Sequence, residues 1–188
     1  MKSKVFFIKV DEIKKIRDIL PKFEPSLGVK VHFGERGCDT FVPAKYIKTI
    51  TDNLDKPTFI ETSVLYKSPR RTASGHREVA QEHGFNWLPI DFLDGEEGDN
   101  SLETKINGKY FKECFLGKNL DKYKELLVVS HFKGHSSAGF GGAIKNLAMG
   151  LGSRQGKLAM HASIKHHIKK EKCISCGSCI LHCPAAAI

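Results

Sequence analysis

Residues 28–61, GVKVHFGERGCDTFVPAKYIKTITDNLDKPTFIE, decide the fold class. The run begins with GVKVHFG, an apolar, β-branched stretch between glycines that predicts a strand. Pro43 then opens VPAKYIKTITDNL, a pattern that predicts a helix with proline in its first turn. The stretch that begins with KPTFIE returns to a strand pattern. A strand, a helix and a strand in this order predict two parallel strands joined by a helical crossover.

The same alternation continues on both sides of this unit. KVFFIKV (4–10) predicts a strand, and DEIKKIRDIL (11–20) predicts a helix capped by Asp11. Downstream, TASGHREVAQEHGF (72–85) predicts a helix closed by a glycine, and LPIDFLDG (88–95) predicts a fourth strand. This βαβαβαβ order predicts an α/β protein, a Rossmann-like layered domain with a mostly parallel sheet and helices on both faces.

Beyond these strands the pattern changes. DGEEGDN (94–100) is acidic but lacks the ligand spacing of a calcium loop, so it predicts a solvated turn. LETKING (102–108) and YFKECFLG (110–117) predict an antiparallel hairpin, and ELLVVSHF (125–132) predicts a buried strand.

Composition narrows the class of protein. The 188 residues are enough for one domain with a short appendage. No apolar run approaches the roughly 20 residues of a membrane helix, and the N-terminal run is too short and too charged for a signal peptide. We therefore expect a cytoplasmic protein that has no membrane partner.

The net charge of +9 is unevenly placed. Residues 133–188 hold eight Lys and Arg against a single acid, Glu171. Such a surplus attracts anions, which predicts a small anionic ligand or an acidic redox partner protein. Nucleic acid is the weakest candidate, because aromatic residues are not interleaved with the basic ones.

A glycine-rich stretch, residues 130–153, follows the buried strand and is the first candidate site. Ligands of open α/β sheets bind beyond the carboxyl ends of strands, and glycines at a helix N-terminus favour an anion. The stretch matches neither the phosphate-loop nor the dinucleotide pattern. A tight turn, core histidines and surface lysines are the structural alternatives. The candidates are catalytic His131, Lys133 and His135, together with binding residues Gly139, Gly141, Gly142, Lys145 and Asn146.

The cysteine run is the second candidate site. Cys173, Cys176, Cys179 and Cys183 followed by Pro184 form C-x2-C-x2-C-x3-C-P, the bacterial ferredoxin run that binds a 4Fe-4S cluster. A structural zinc site normally takes cysteines from two knuckles a dozen or more residues apart, so zinc is the lesser alternative.

The fourth cysteine raises a counting problem. In two-cluster ferredoxins the fourth cysteine of such a run binds a second cluster, whose other ligands lie further along the chain. By that rule Cys183 would serve a second cluster. We therefore expect an N-terminal part of a longer protein, in which these residues alone hold a full cluster poorly. The alternative is that Cys183 closes a single cluster.

Several stretches, taken together, resemble a known family. HFKGHSSAGFGGAIKNLAMGLGSRQGK (131–157), VKVHFGE (29–35), SVLYKSPRRTASGHREVAQEHGF (63–85) and the cysteine run are similar to the uncharacterised Fe–S centre proteins. These proteins contain domain of unknown function 362 followed by a ferredoxin-type segment. The resemblance implies an α/β domain over residues 1–168, a 4Fe-4S segment over residues 169–188, and a longer protein with a second cysteine run.

The resemblance also extends the candidate pocket. Strand ends of a parallel sheet gather at one edge, so polar residues after the second and third strands are expected to join the glycine-rich stretch. The added binding candidates are Lys30, His32 and Glu35, with Tyr66, Arg70, Arg71 and His76 as further neighbours. A structural role for each is the alternative.

These observations lead to one functional expectation and two rivals. We expect an iron–sulfur redox protein, an oxidoreductase, whose α/β domain binds a small anion and exchanges electrons through the cluster. Lys133 and Lys145 would hold the anion, and His131 or His135 would donate a proton. The first rival is a racemase or isomerase-like enzyme acting on a hydroxy or keto acid, with a structural cluster, suggested by a faint similarity to lactate racemases. The second is an electron-transfer or cluster-carrier module that has no substrate of its own.

Overall fold

The core of the fold is a four-stranded parallel sheet, seen in a computed structural model that describes residues 3–135, 138–161 and 168–182. Its strands are β1 (Leu27–Lys30), β2 (Thr58–Glu61), β3 (Ile90–Phe92) and β6 (Glu125–Val128). Their order across the sheet is β3-β2-β1-β6, and every neighbouring pair is parallel. The predicted α/β fold class is confirmed.

Two helices form the crossovers between the first three strands. Helix α2 (Ala44–Thr51) joins β1 to β2, and α3 (Ala73–Glu82) joins β2 to β3. Pro43 precedes α2, where its missing N–H is not needed. The Thr72 side chain caps α3 by accepting from the Gly75 amide at 3.2 Å, and Gly84 ends the turn in the left-handed region at φ 87°. Both predicted helices are confirmed.

The two faces of the sheet bury separate apolar clusters. On one face, Val29 and Phe59 pack with Ile47 of α2 and Ala80 of α3. Ile60, the neighbour of Phe59, points to the opposite face and belongs to a second cluster, which includes Leu93, Leu151, Leu116 and Leu126. Because side chains alternate along a strand, consecutive apolar residues in β2 require cover on both faces.

The remaining elements build the second face. Strands β4 (Ser101–Lys105) and β5 (Glu113–Gly117) form the predicted antiparallel hairpin. A second hairpin, β7 (Lys133–His135) with β8 (Gly139–Gly141), leads into α4 (Ala143–Leu151) and α5 (Arg154–His161). Helix α5 packs on β5 through Gly156, where a side chain would collide with the Phe115 carbonyl oxygen.

The predicted strand at residues 4–10 is wrong. These residues form no strand, and Val5 and Phe7 are 92% and 90% exposed. The predicted helix that follows is a 3-10 helix (Val10–Lys15) and a single α-turn, α1 (Ile16–Ile19). The strand next to β1 comes instead from β6, whose backbone pairs with β1 from Leu27 to Lys30.

The cysteine segment is short and mostly irregular in its described part. It contains a 3-10 helix (Lys170–Lys172) and the one-turn helix α6 (Ser178–Leu181). The predicted domain boundary at residue 168 stays a prediction. None of the helices in the described ranges is long and apolar enough to cross a membrane.

Candidate anion site at the switch point of the sheet

A cavity of about 430 Å³ opens at the carboxyl edge of the sheet. The chain leaves β1 towards β2 on one side, while β6 lies on the other side of β1, so the strand order reverses between β1 and β6. Open α/β sheets bind ligands at such a switch point. Residues from the ends of β1 and β2 and from the segment after β6 line the cavity, with helices α4 and α5 covering it.

The cavity brings together nearly all of the predicted pocket residues. It is lined by Lys30, His32, Glu35, His131, Lys133, His135, Gly141, Gly142, Lys145 and Asn146. Gly139 is the exception: it is exposed, and its φ of 75° makes it a turn residue. Tyr66, Arg70 and His161 also line the cavity, whereas Arg71 and His76 do not. The catalytic and binding roles themselves stay predictions.

A fully buried ion pair forms part of the cavity wall. The Lys30 ammonium lies 2.9 Å from Glu61 Oε1 and donates to the Val31 carbonyl at 2.6 Å and to Asn146 Oδ1 at 2.8 Å. Its three donors therefore meet three acceptors, and the lysine side chain is 0% exposed. Burial lowers the pKa of Lys30, and Glu61 opposes that shift.

Helix α4 has a glycine where it crosses this lysine. A Cβ at position 150 would stand 2.5 Å from Lys30 Nζ and 3.2 Å from Asn146 Oδ1. Gly150 therefore leaves the space through which the lysine reaches its acceptors beneath the helix.

Arg70 links the ion pair to the rim of the cavity. Its guanidinium donates to Glu35 at 2.6 Å and lies 3.9 Å from Glu61. From behind, Arg70 Nε donates to Nε2 of the buried His76 at 2.8 Å. The Tyr66 hydroxyl donates to Glu35, and burial together with this bond raises the pKa of Tyr66. The predicted neighbour His76 thus holds Arg70 in place without reaching the cavity.

Two histidines of the cavity have defined surroundings. The Gly34 amide donates to His32 Nδ1 at 2.9 Å, so the proton of the neutral ring is on Nε2. Burial, and then the positive charge of Arg70, lower the pKa of His32 to about 2, which keeps this ring neutral. The Nδ1 atom of His131 is buried and has no hydrogen-bond partner among the described residues.

Two lysines, Lys133 and Lys145, lie close together at the hairpin end of the cavity, and no described carboxylate pairs with either of them. Lys133 and Lys145 both pass Gly141, where a Cβ would lie 3.7 Å from a methylene carbon of each. Within the described ranges, Lys133 donates to the Thr40 carbonyl at 2.6 Å. Partial burial, followed by repulsion from Lys145, lowers the pKa of Lys133. In the described part of the chain, neither ammonium group forms an ion pair.

Several cavity residues were missed from the sequence, and three of them, Glu61, Thr62 and Lys157, form polar contacts in the cavity wall. Glu61 and Thr62 end the strand pattern of β2, and an acid at the end of an apolar strand was the available signal. Lys157 comes from α5 and donates to Thr62 Oγ1 and, at 2.6 Å, to the Gly152 carbonyl. Burial lowers the pKa of Lys157 to about 8. No local pattern marked this lysine, because only the fold places α5 over the end of β2.

One acid of the predicted solvated loop, Asp94, is instead buried. Both carboxylate oxygens of Asp94 accept from the Ser63 amide, at 3.0 and 3.1 Å. Burial raises the pKa of Asp94 to about 6. The solvated-turn prediction is therefore wrong for this residue, whose carboxylate ties the end of β3 to the chain beyond β2.

The cysteines lie away from the cavity lining. Cys173 and Cys176 are exposed thiols on a short loop that turns through left-handed Ser175 and Gly177, and Cys179 is an exposed thiol in α6, directly after that loop. Thiols on such a loop are the donor type that iron–sulfur clusters take. In the described ranges, no three metal-ligating side chains are gathered around one point. Cys183 lies outside the described residues. The donor chemistry thus fits a cluster, while the described thiols are not drawn together.

Comparison with known proteins gives a family without an activity. A family profile described as "Domain of unknown function (DUF362)" matches residues 27–183. The chain belongs to the DUF362 family. The match begins at β1 and spans all four strands of the parallel sheet and the elements that line the cavity. No curated protein and no solved structure matches the chain.

Proposed function

We propose that this DUF362 protein binds a small organic anion at the switch point of its α/β domain and exchanges electrons with it through a 4Fe-4S cluster. The observation that supports anion binding is the surplus positive charge of the cavity. Of the residues that the structure describes, five lysines and arginines line the cavity against two carboxylates: Lys30, Arg70, Lys133, Lys145 and Lys157 against Glu35 and Glu61.

The paired charges indicate where the anion would bind. Lys30 and Arg70 already contact Glu61 and Glu35, so their charge is largely neutralised inside the protein. Lys133 and Lys145 repel each other and have no carboxylate among the described residues. An anionic group between these two ammonium groups would remove that repulsion, so it is the preferred position for a carboxylate or phosphate.

The other groups of the cavity would orient and protonate the ligand. The buried Lys30–Glu61 pair and Asn146 form a fixed polar wall, because each has its partners within the protein. The buried Nδ1 of His131 has no hydrogen-bond partner among the described residues, which makes His131 the first candidate proton donor; His135, at the end of β7, is the second. A cluster held by Cys173, Cys176 and Cys179 would supply or accept one electron at a time.

Calorimetry with the Lys133→Met/Lys145→Met variant tests the anion site. We expect pyruvate, lactate or inorganic phosphate to bind the wild-type chain and to lose at least tenfold in affinity in the double variant. Lys105→Met, at an exposed lysine of the β4–β5 hairpin, is the matched control and should bind as the wild type does. Equal affinities in all three proteins would overturn the proposed site.

Anaerobic reconstitution with iron and sulfide tests the cluster. We expect an iron–sulfur absorption that bleaches with dithionite and is lost in Cys173→Ser/Cys176→Ser, while Cys38→Ser, at another exposed thiol, retains it. A cluster that never changes its redox state would contradict the electron-transfer role. Substoichiometric iron in this chain would support a longer native protein, whereas four irons and four sulfides per chain would contradict that expectation.

A non-redox isomerase is the second candidate, favoured by one observation. The cavity holds its own candidate proton-transfer groups, since Lys157 has a pKa of about 8 and the Nδ1 atom of His131 has no partner in the described part of the chain. Exchange of the substrate's α-proton with deuterated water, in protein with all cysteines of the run replaced, would support this candidate over the redox role.

A further inference from the structure

We propose that Lys157 is a nucleophilic amine, which forms an imine with the carbonyl group of an oxo acid bound in the cavity. The inference rests on the proposed anion site and adds the ligand class: an acid that also has a ketone or aldehyde carbon. The geometry around the two buried lysines of the cavity supports this inference.

The two lysines differ in the hydrogen-bond acceptors that surround them. Lys30 has three acceptors, one of them a carboxylate, which match the three donors of an ammonium ion. Lys157 has two, Thr62 Oγ1 and the Gly152 carbonyl, both uncharged. Two acceptors satisfy the two N–H bonds of a neutral amine and leave its lone pair unused. A third N–H on Lys157 would have no acceptor among the described residues.

The hydroxyl of Thr62 supports this assignment. Thr62 Oγ1 donates its own proton to the Gly150 carbonyl at 3.1 Å, so towards Lys157 it acts only as an acceptor. The amine is therefore held by two fixed oxygens, one from the end of β2 and one from the turn before α5. Its orientation is defined before a ligand enters.

Burial and neighbouring cations make the neutral form of Lys157 more accessible than that of an exposed lysine. The residue is 5% exposed and lines the cavity, yet no described carboxylate forms an ion pair with it. Asp94 and Glu61 attract a proton to it from a distance, while Lys30 and Arg70 repel one. With a pKa of about 8, about a tenth of Lys157 is unprotonated at pH 7. Desolvation and neighbouring cations are the usual means of activating a lysine nucleophile.

The reaction needs no group beyond the ligand and the protein. The Nζ lone pair bonds to the carbonyl carbon, and the π pair of the C=O bond moves to oxygen, which takes a proton. Nitrogen then loses a proton, and the C–O bond breaks as the hydroxyl is protonated and leaves as water. The products are one protonated imine and one water, with one proton taken up from solvent, and nothing is oxidised or reduced. Lys133 and Lys145 would meanwhile hold the carboxylate of the oxo acid.

Reductive trapping in the full chain tests the inference. The protein is incubated with pyruvate, glyoxylate or 2-oxoglutarate and sodium cyanoborohydride, and modified lysines are located by peptide mass spectrometry. We expect Lys157 to be labelled at least tenfold faster than the exposed Lys105, with a rate that rises with pH up to about 8 and then levels. Lys30, equally buried but ion-paired, should stay unlabelled.

Two controls separate this inference from the proposed function. Lactate has no carbonyl group, so it should slow the labelling of Lys157 by competition without forming an adduct. Lys157→Arg keeps a cation but lacks a primary amine, and its remaining lysines should label as in the wild type. If the oxo acids bind in calorimetry but Lys157 labels no faster than Lys105, the imine is refuted while the anion site stands. If neither oxo acids nor lactate bind, the anion site itself fails.

Discussion

Gly150→Ala tests whether the space beneath α4 is required by the buried ion pair. In an ordinary helix this change would stabilise the protein by about 1 kcal/mol, since glycine is the poorer helix former. Here the new Cβ would stand 2.5 Å from Lys30 Nζ and closer still to the adjacent Cε. A real Cβ never approaches a nitrogen so closely, so the lysine, the helix or both must move.

The contacts of Lys30 determine the size of the effect. The ammonium cannot withdraw without leaving Glu61, Asn146 and the Val31 carbonyl. Overpacking a core costs about 1–3 kcal/mol, and separating a buried ion pair costs about 3–5 kcal/mol. After the gain in helix propensity is subtracted, we expect a net loss of about 2 kcal/mol or more. For a chain of this size that corresponds to a fall in Tm of roughly 4–8 °C.

Thermal and urea unfolding measure the effect, with two controls. Ala148→Gly, at an exposed position of the same helix, should lose about 1 kcal/mol from propensity alone. In a Lys30→Ala background the collision is absent, so adding Gly150→Ala should there be neutral or stabilising. A single Gly150→Ala variant that is as stable as the wild type would refute the reasoning, because it would mean that Lys30 is not held in place.

Three further predictions follow from the charges around the cavity. Glu61→Gln should lower the free energy of unfolding by about 3–5 kcal/mol in urea, because it leaves the Lys30 ammonium buried without a counter-charge. Asp94→Asn should change the pH dependence of the free energy of unfolding. Because the pKa of Asp94 is raised in the folded state, the free energy of unfolding of the wild type falls by up to about 3 kcal/mol as pH rises from about 4 through about 6. The asparagine variant does not titrate and should not show this fall. The affinity of a bound anion should fall with added salt, and Lys133→Met/Lys145→Met should flatten that dependence in calorimetry.

Each of these predictions has a control and a contradicting outcome. Glu82 forms an exposed ion pair with Arg36, so Glu82→Gln should change the free energy of unfolding little. If Glu61→Gln changes it no more than Glu82→Gln does, the result argues against a buried Lys30–Glu61 pair. Asp99→Asn, at an exposed acid, should leave the pH profile of the wild type unchanged. If Asp94→Asn also follows that profile, the Asp94 carboxylate is not desolvated as described. A salt slope that is the same with and without Lys133 and Lys145 would place the anion elsewhere.

The sequence predicted the layered fold and the edge of the sheet at which the cavity lies. Both follow from local order: Pro43 opens a helix, Gly84 closes one, and apolar runs separated by helices make parallel strands. The strand predicted at residues 4–10 failed because β propensity describes a segment and not its partner. The place beside β1 belongs to β6, which the chain reaches only after about a hundred residues.

The sequence by itself also marked the residues at strand ends that line the cavity, from Lys30 to Asn146, because the carboxyl ends of parallel strands share one edge. Only the tertiary structure decided which of their charges remain uncompensated. Glu61 neutralises Lys30 across two strands, and α5 brings Lys157 over Thr62 from a distant part of the chain. A buried charge depends on the atoms within a few ångströms of it, and those atoms come from segments far apart in sequence. For this reason the position of the cavity could be predicted from the sequence, whereas the protonation of its two buried lysines could not.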